Sequence, residues 1–422
     1  MRAAIPAMAL TMAAAGSALA QTPYVAQSLP GPGATVCAGG LCQPEALDSL
    51  FEALHGLETG ERERLVRIVQ IGDSHTAGDR ITGAFRARLQ ARFGRAGRGV
   101  MPPGVPHAGY NPFQVQVTAT GWSTTLAPLT ASQGLAVQGV GLTGIQAVTF
   151  GPDAALEIVA EPGMELTYVS LCGMGGPDAG GFEVRGQSVR EEVDFAAPDT
   201  GMLCTDAVIG ALQERIVIRP LRGGAPLTDI TLGRAGYGVE VSNLGVVGSS
   251  LRDLAARDEA VLRTQLAVWR PQLIVIAYGT NEGFDDALDP VAYEALLRGE
   301  VLRLRRLAPA AALMIVGAPD ALRTGAAGGC SADGRRGPPP SLALVRDVQR
   351  RVAADMGVAF WDWHGRMGGD CSADRLATMD EPLMRGDRVH FTSAGGDWIG
   401  GIFADDILAA YEAWLARRGG AD

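Results

Sequence analysis

Short apolar runs and longer amphipathic stretches alternate at both ends of this chain. In its middle they give way to residue-by-residue alternation. From Pro44, Leu47, Leu50, Leu54 and Leu57 recur at three- and four-residue spacing, which predicts a helix. The run Leu65-Val66-Arg67-Ile68-Val69-Gln70-Ile71 is compact and apolar, and predicts a buried strand. Between Asp79 and Phe93, the residues Ile81, Phe85, Leu89 and Phe93 fall four apart with arginines on the opposite face, a second helix. Beyond Gly236 the same texture returns. VEVSNLG, LIVIAYG, ALMIVGAP and VAFWDWH read as strands, with helices expected at about 251–269, 291–307, 342–356 and 393–415. Short apolar strands alternating with helices of this length imply parallel strands joined by βαβ crossovers. Neither half supplies a complete sheet, so the two are expected to close one α/β sheet around an insertion.

The insertion has its own pattern. Glycine and proline crowd GRAGRGVMPPGVPHAGYNP after Gly94, and from about Phe113 to Leu232 the period becomes two. VQVTAT, LAVQGVGL, AVTF, LEIVA, LTYVSLC, GFEVR, ERIVIRP and LTDITL are separated by turn residues at short intervals. This predicts an all-β module of sandwich or jelly-roll type. The expected division is a signal peptide at 1–20, an extended arm at 21–43, α/β sequence at 44–105 and 235–422, and the β module at 106–234.

Composition narrows the class. The chain has 422 residues and a formal net charge of -10, which argues against nucleic-acid binding and against electrostatic docking on an anionic membrane. All 36 basic residues are arginine, so lysine chemistry is excluded: no P-loop lysine, no Schiff base, no Ser-Lys dyad. A histidine mechanism must choose among His55, His75, His107, His364 and His390, and neither HExxH nor CxxC occurs. The first residues carry one arginine, an apolar stretch and Ala18-Leu19-Ala20, the pattern of a signal peptide cleaved after Ala20. Export permits disulfides, and six cysteines in three neighbourhoods suggest Cys37–Cys42, Cys172–Cys204 and Cys330–Cys371, one of 15 possible pairings. A periplasmic or secreted protein is expected.

In an α/β sheet, ligands sit beyond the carboxyl ends of the strands. The polar residues there are Gly72-Asp73-Ser74, Asn243-x-Gly245-x-x-Gly248, Gly279-Thr280-Asn281-Glu282, Asp320, and Asp387-Arg388-Val389-His390 before the last helix. Together they hold the parts of an acyl-transfer site. Ser74 needs a base, which His390 can supply, and Asp387 lies three residues before it, placed to orient the imidazole and stabilise the imidazolium. Oxyanion donors are the Ser74 N–H, a glycine N–H of the VVGSS turn (Gly248 preferred over Gly245) and the Asn281 amide. The competing reading of Ser74 is a helix cap, of His390 a surface histidine, and of Asn281 a turn residue.

GDSH, the glycine of VSNLGVVGSSL, GTN and DRVH occur in the order of the four blocks of the SGNH (GDSL-type) hydrolases, which this chain resembles over about 60–105 and 235–415. The resemblance implies a flavodoxin-like three-layer α/β/α fold and a serine esterase mechanism with no metal and no cofactor. It assigns Ser74, Gly248, Asn281, Asp387 and His390. Export, GDSH, AYGTNE and a β module between the first two blocks look most like the peptidoglycan O-acetylesterases, which implies deacetylation at O-6 of N-acetylmuramic acid and a carbohydrate-binding role for the module. The alternatives are an O-acetyltransferase or acetylesterase on another exported polysaccharide, a lipase, and a glycan-binding protein with a vestigial hydrolase domain. The alginate-type transferases carry Asp and His before Ser, unlike this chain. Among the remaining residues, Asp73 is expected to support the turn, His75 to point away from the nucleophile or else to support it from behind or touch substrate, Glu282 to touch substrate or not with equal claim, Asp320 to sit in a loop, and His364 to pack at a strand end.

Overall fold

The Val66–Gly72 strand lies inside a six-stranded sheet, between Val239–Gly245 on one side and Leu273–Ala277 on the other. Ala312–Val316 and Ala359–Trp361 follow in parallel, and the two-residue strand Leu41–Cys42 closes the edge antiparallel to the last of them. In chain order the five parallel strands run 2-1-3-4-5 across the sheet, the flavodoxin-like arrangement. The computed structural model describes residues 29–62, 64–126, 139–326 and 329–419. The expected signal peptide at 1–20 lies outside the described residues, as does the expected arm as far as residue 28.

Side-chain alternation along these strands builds two separate cores. Val66, Ile68, Val275 and Met314 face helices Asp48–Thr59, Arg80–Phe93 and Ser393–Gly419. Val69, Ile71, Ile274 and Ile315 face helices Leu251–Ala255, Glu259–Trp269, Pro290–Leu307 and Leu342–Met356. Strands buried on both faces are what continuous apolar runs encode. The helix ends follow local rules. Asp289 accepts from Val291 N and Ala292 N with Pro290 in the first turn, and Gly60 and Gly357 close their helices with φ of 74° and 59°.

The insertion is two antiparallel sheets around a third core. One sheet orders as 190–194, 181–185, 215–221, 155–160 and 115–120; the other as 201–213, 166–175, 227–233, 145–149 and 122–126. The pattern reading missed Gly97–Met101, a wholly buried strand that pairs with Leu227–Gly233. Two of its five residues are glycine, so it carries no apolar alternation to read. It also flanks the outer strand of the α/β sheet: Val239 N donates to Gly94 O at 2.9 Å and Val100 N to Ser242 Oγ at 2.9 Å. The expected strand LAVQGVGL falls partly on 127–138, outside the described residues, and its remainder is a turn with Gly144 N donating to Gly141 O.

The helix expected at 251–269 does not run unbroken. It is broken into Leu251–Ala255 and Glu259–Trp269. Asp258 caps the second piece, accepting from Ala260 N and Val261 N. Its carboxylate also takes Gly139 N at 2.9 Å, and its own N–H donates to Val140 O at 3.1 Å. The break is where the β module docks, a tertiary cause that helical periodicity does not register.

The three disulfides are Cys37–Cys42, Cys172–Cys204 and Cys330–Cys371, as the cysteine neighbourhoods suggested. They mark a protein of an oxidising compartment, periplasmic or extracellular. Among the described residues no helix is long and apolar enough to cross a membrane.

Candidate active site

Gly72 ends its strand with almost no room: a Cβ there would lie 2.6 Å from Ala277 O. The chain then turns sharply. Asp73 caps the four-residue helix Ser74–Ala77, accepting from His75 N at 2.9 Å. Capping therefore falls to Asp73, and the half-buried Ser74 side chain is left to another partner. Its Oγ stands 3.0 Å from His390 Nε2.

His390 is oriented from its other side. Its Nδ1 lies 2.9 Å from Asp387 Oδ2, while Asp387 Oδ1 accepts from Val389 N at 2.9 Å and His390 N at 3.0 Å. Burial pushes the Asp387 carboxyl up, but these two N–H groups and the imidazole more than reverse that and hold it below the usual carboxylate range. Arg388, at φ 58°, makes the tight turn between acid and base, and its Nε donates to Asp374 Oδ1 at 3.0 Å. A hydroxyl, an imidazole and a carboxylate thus stand in one hydrogen-bonded line, the geometry needed to remove a proton from a serine.

The turn after the Val239–Gly245 strand faces this line. Gly245 packs so closely that a Cβ would lie 2.6 Å from Ala77 Cα, and its N–H is already given to Asn243 Oδ1 at 3.2 Å. Gly248 is exposed at φ 75°, and a Cβ added there would have no other atom within 4 Å. Asn281 Nδ2 donates to Ser249 O at 2.8 Å, which ties the turn to the next strand and leaves one amide hydrogen uncommitted. The next residue, Glu282, is buried: its Oε1 accepts from Leu251 N at 2.7 Å, and its Oε2 has no partner among the described residues. Burial raises this carboxyl to about 7.

His75, expected to point away from the nucleophile, is buried behind the line. Its ring packs on Trp363 at 5.2 Å, on His390 at 5.5 Å and on Phe391 at 6.1 Å. Its Nε2 donates to Val389 O at 2.8 Å and its Nδ1 lies 3.2 Å from Asp73 Oδ1. Burial alone would lower the imidazole pKa; Asp73 and the Val389 carbonyl outweigh it and leave the pKa raised. Of the other residues weighed from sequence, Asp320 is buried and accepts from Ala373 N at 2.9 Å, and His364 Nε2 meets Asp370 Oδ1 at 3.0 Å. Neither joins the line.

A supporting cluster was not anticipated. Asp79, buried at φ 50°, receives Arg86 at 2.9 Å, Arg98 at 3.0 Å, Thr82 at 2.6 Å, Asn243 at 3.1 Å and Phe113 N at 2.9 Å. Burial would raise its carboxyl, but the two guanidinium groups drive it far below the usual range; burial and Arg98 in turn lower Arg86 to about 10. The cluster joins the helix after Ser74, the start of the β module and the Val239–Gly245 strand. Arg86, expected with the other arginines of its helix on the face opposite the apolar one, is instead fully buried.

A cleft of about 470 Å³ opens over Ser74 and His390. Arg80 and Arg385 line it from the α/β side, and His107 and Asn111 from the segment that leads into the β module. A separate cleft of about 420 Å³ runs along Asn281, Glu282 and Tyr293.

Residues 213–398 match the model of the GDSL-like lipase/acylhydrolase family, a span that takes in Gly248, Asn281, Asp387 and His390. A solved peptidoglycan O-acetylesterase is similar over 89% of this chain and 99% of its own, with a TM-score of 0.75 and 26% identity. A family two carbohydrate esterase from Clostridium thermocellum aligns over 63% of this chain and 94% of its own, with a TM-score of 0.28 and 11% identity. A salicylyl-acyltransferase from a tetracycline biosynthetic pathway aligns over 74% and 96%, with a TM-score of 0.31 and 13% identity. No curated protein matches.

Proposed function

We propose that this chain, an SGNH (GDSL-type) hydrolase most like the peptidoglycan O-acetylesterases, removes O-acetyl groups from cell-wall glycan, at O-6 of N-acetylmuramic acid. The observation that carries the reading is the line Ser74–His390–Asp387, at 3.0 and 2.9 Å. Ser74 Oγ attacks the acetyl carbonyl as His390 Nε2 takes its proton, and Asp387 stabilises the imidazolium that results. The tetrahedral oxygen is met by the N–H of Ser74, the N–H of Gly248 and the uncommitted amide hydrogen of Asn281. Gly248 is favoured over Gly245 because the Gly245 N–H is already spent on Asn243. His390 then protonates the departing sugar oxygen, leaving an acetyl-Ser74 ester. Water, deprotonated by the same imidazole, releases acetate. No step calls for a metal or cofactor.

The reading includes export, with residues 1–20 as signal peptide cut after Ala20, and action in the periplasm or outside the cell. In it residues 106–234 form a carbohydrate-binding-like module; support comes from His107 and Asn111, which line the cleft from the segment entering it. The test is acetate release from O-acetylated peptidoglycan, compared with O-acetylated xylan, by the wild-type chain and by Ser74→Ala. Release that is faster from peptidoglycan and abolished in the folded variant is expected. Activity surviving in Ser74→Ala, or preference for xylan, would refute it.

A further inference from the structure

We propose that Arg385 binds a carboxylate carried by the glycan, so that the substrate is an acidic sugar polymer rather than a neutral one. This rests on the glycan-esterase reading above. The cleft over Ser74 is lined by Arg80, Arg385, His75, His107 and His390, and by no aspartate or glutamate among the described residues. The chain as a whole has a net charge of -10. Asp387 stands behind His390 and Asp397 pairs loosely with Arg80, so the guanidinium of the cleft that faces no acid among the described residues is that of Arg385.

The arginines nearby are mostly committed. Arg388 bonds Asp374 at 3.0 Å, Arg375 gives two hydrogens to the carbonyls of Asp370 and Gly368 at 2.9 and 2.6 Å, and Arg366 is held by Asp406 at 2.6 Å. Arg80 spreads over the Phe113 ring at 4.5 Å and makes a loose 3.7 Å pair with Asp397. Arg385 differs. Its side chain is exposed and makes no ion pair or hydrogen bond with any described residue. Its main chain is nevertheless fixed to the base, with Arg385 N donating to His390 O at 2.7 Å. The guanidinium is therefore rooted beside His390 and free at its tip. A guanidinium is always charged and presents parallel N–H donors that match a carboxylate. No described residue of this chain uses them, and a carboxylate carried close to the acetyl-bearing sugar, on the glycan or on a peptide attached to it, would.

The experiment uses the full chain and one substrate in two forms: O-acetylated peptidoglycan, and the same material with its carboxyl groups converted to methylamides. The readout is the ratio of kcat/KM for acetate release from the two forms. Wild type is expected to prefer the native form by about 10-fold or more, as for a charge-assisted hydrogen bond. In Arg385→Gln that preference collapses towards one, and Arg385→Lys recovers part of it. A wild-type enzyme indifferent to blocking, or a preference that survives in Arg385→Gln, overturns the proposal while leaving the esterase reading intact. Failure of the wild type to release acetate from either form while it hydrolyses p-nitrophenyl acetate refutes the glycan reading and this proposal with it.

Discussion

The imidazole of His75 holds the carbonyl of Val389 at 2.8 Å, one residue before the histidine that faces Ser74. The nucleophile's own neighbour thus anchors the loop that carries the base, across 314 residues of sequence. Asp73 sits at the other end of the same ring, so the turn that presents Ser74 and the turn that presents His390 share one buried side chain. Leucine at position 75 would still pack against the stacked rings of Trp363 and Phe391 but could not donate to Val389.

We therefore expect His75→Leu to lower kcat on p-nitrophenyl acetate by about 10- to 100-fold, the scale on which small misplacements of catalytic groups cost rate. His75→Gln, which keeps a donor, is expected to lose less. Far-UV circular dichroism and thermal unfolding separate this loss from misfolding. Full activity in a folded His75→Leu would show that the loop needs no anchor.

The Asp79 cluster predicts a different failure. Removing the carboxylate leaves Arg86 and Arg98 buried, adjacent and uncompensated. Breaking a buried ion pair from one side costs about 3–5 kcal/mol. Asp79→Ala should therefore lose stability on that scale in urea titration, whereas the exposed pair Arg88–Asp405 should lose less than about 1 kcal/mol when Asp405 becomes alanine. Equal losses for the two variants would contradict the burial argument.

What could be read beforehand follows a physical line. The parallel strands were legible because burial on both faces demands unbroken apolar runs, and Ile274 or Met314 can hardly be anything else. The line of Ser74, His390 and Asp387 could be read because Ser74 follows a strand, Asp387 lies three residues before His390 ahead of the last helix, and both strings fall in the block order of the SGNH hydrolases. Gly97–Met101 was not, since a strand flanked by two sheets needs little side-chain pattern of its own. The break at Asp258 was not, since its cause is a loop more than 100 residues away. The role of His75 was not, because its partner is a backbone carbonyl, and carbonyls leave no mark in a sequence. Gly248 is preferred to Gly245 from its place in the VVGSS turn; the committed N–H of Gly245 and its contact with the helix of Ser74 support the same choice.

Glu282 supplies a prediction about pH. Its carboxyl is raised from 4.5 to about 7, first by burial and further by Asp73, against the opposing hydrogen bond from Leu251 N. Between these two values the folded chain keeps a proton that the unfolded chain releases, so stability falls as pH rises through that window. The full effect is on the order of 3 kcal/mol. Glu282→Gln keeps an acceptor for Leu251 N and cannot ionise, so its loss between pH 5 and 8 should be smaller than that of the wild type by up to this amount. His75, also raised, contributes a loss of the same sign in both proteins as pH climbs through its folded value, and cancels in the comparison. Urea titrations at pH 5, 6, 7 and 8 on both proteins measure the difference. Parallel curves would mean that Glu282 is ionised throughout and that its second oxygen finds a partner in solution.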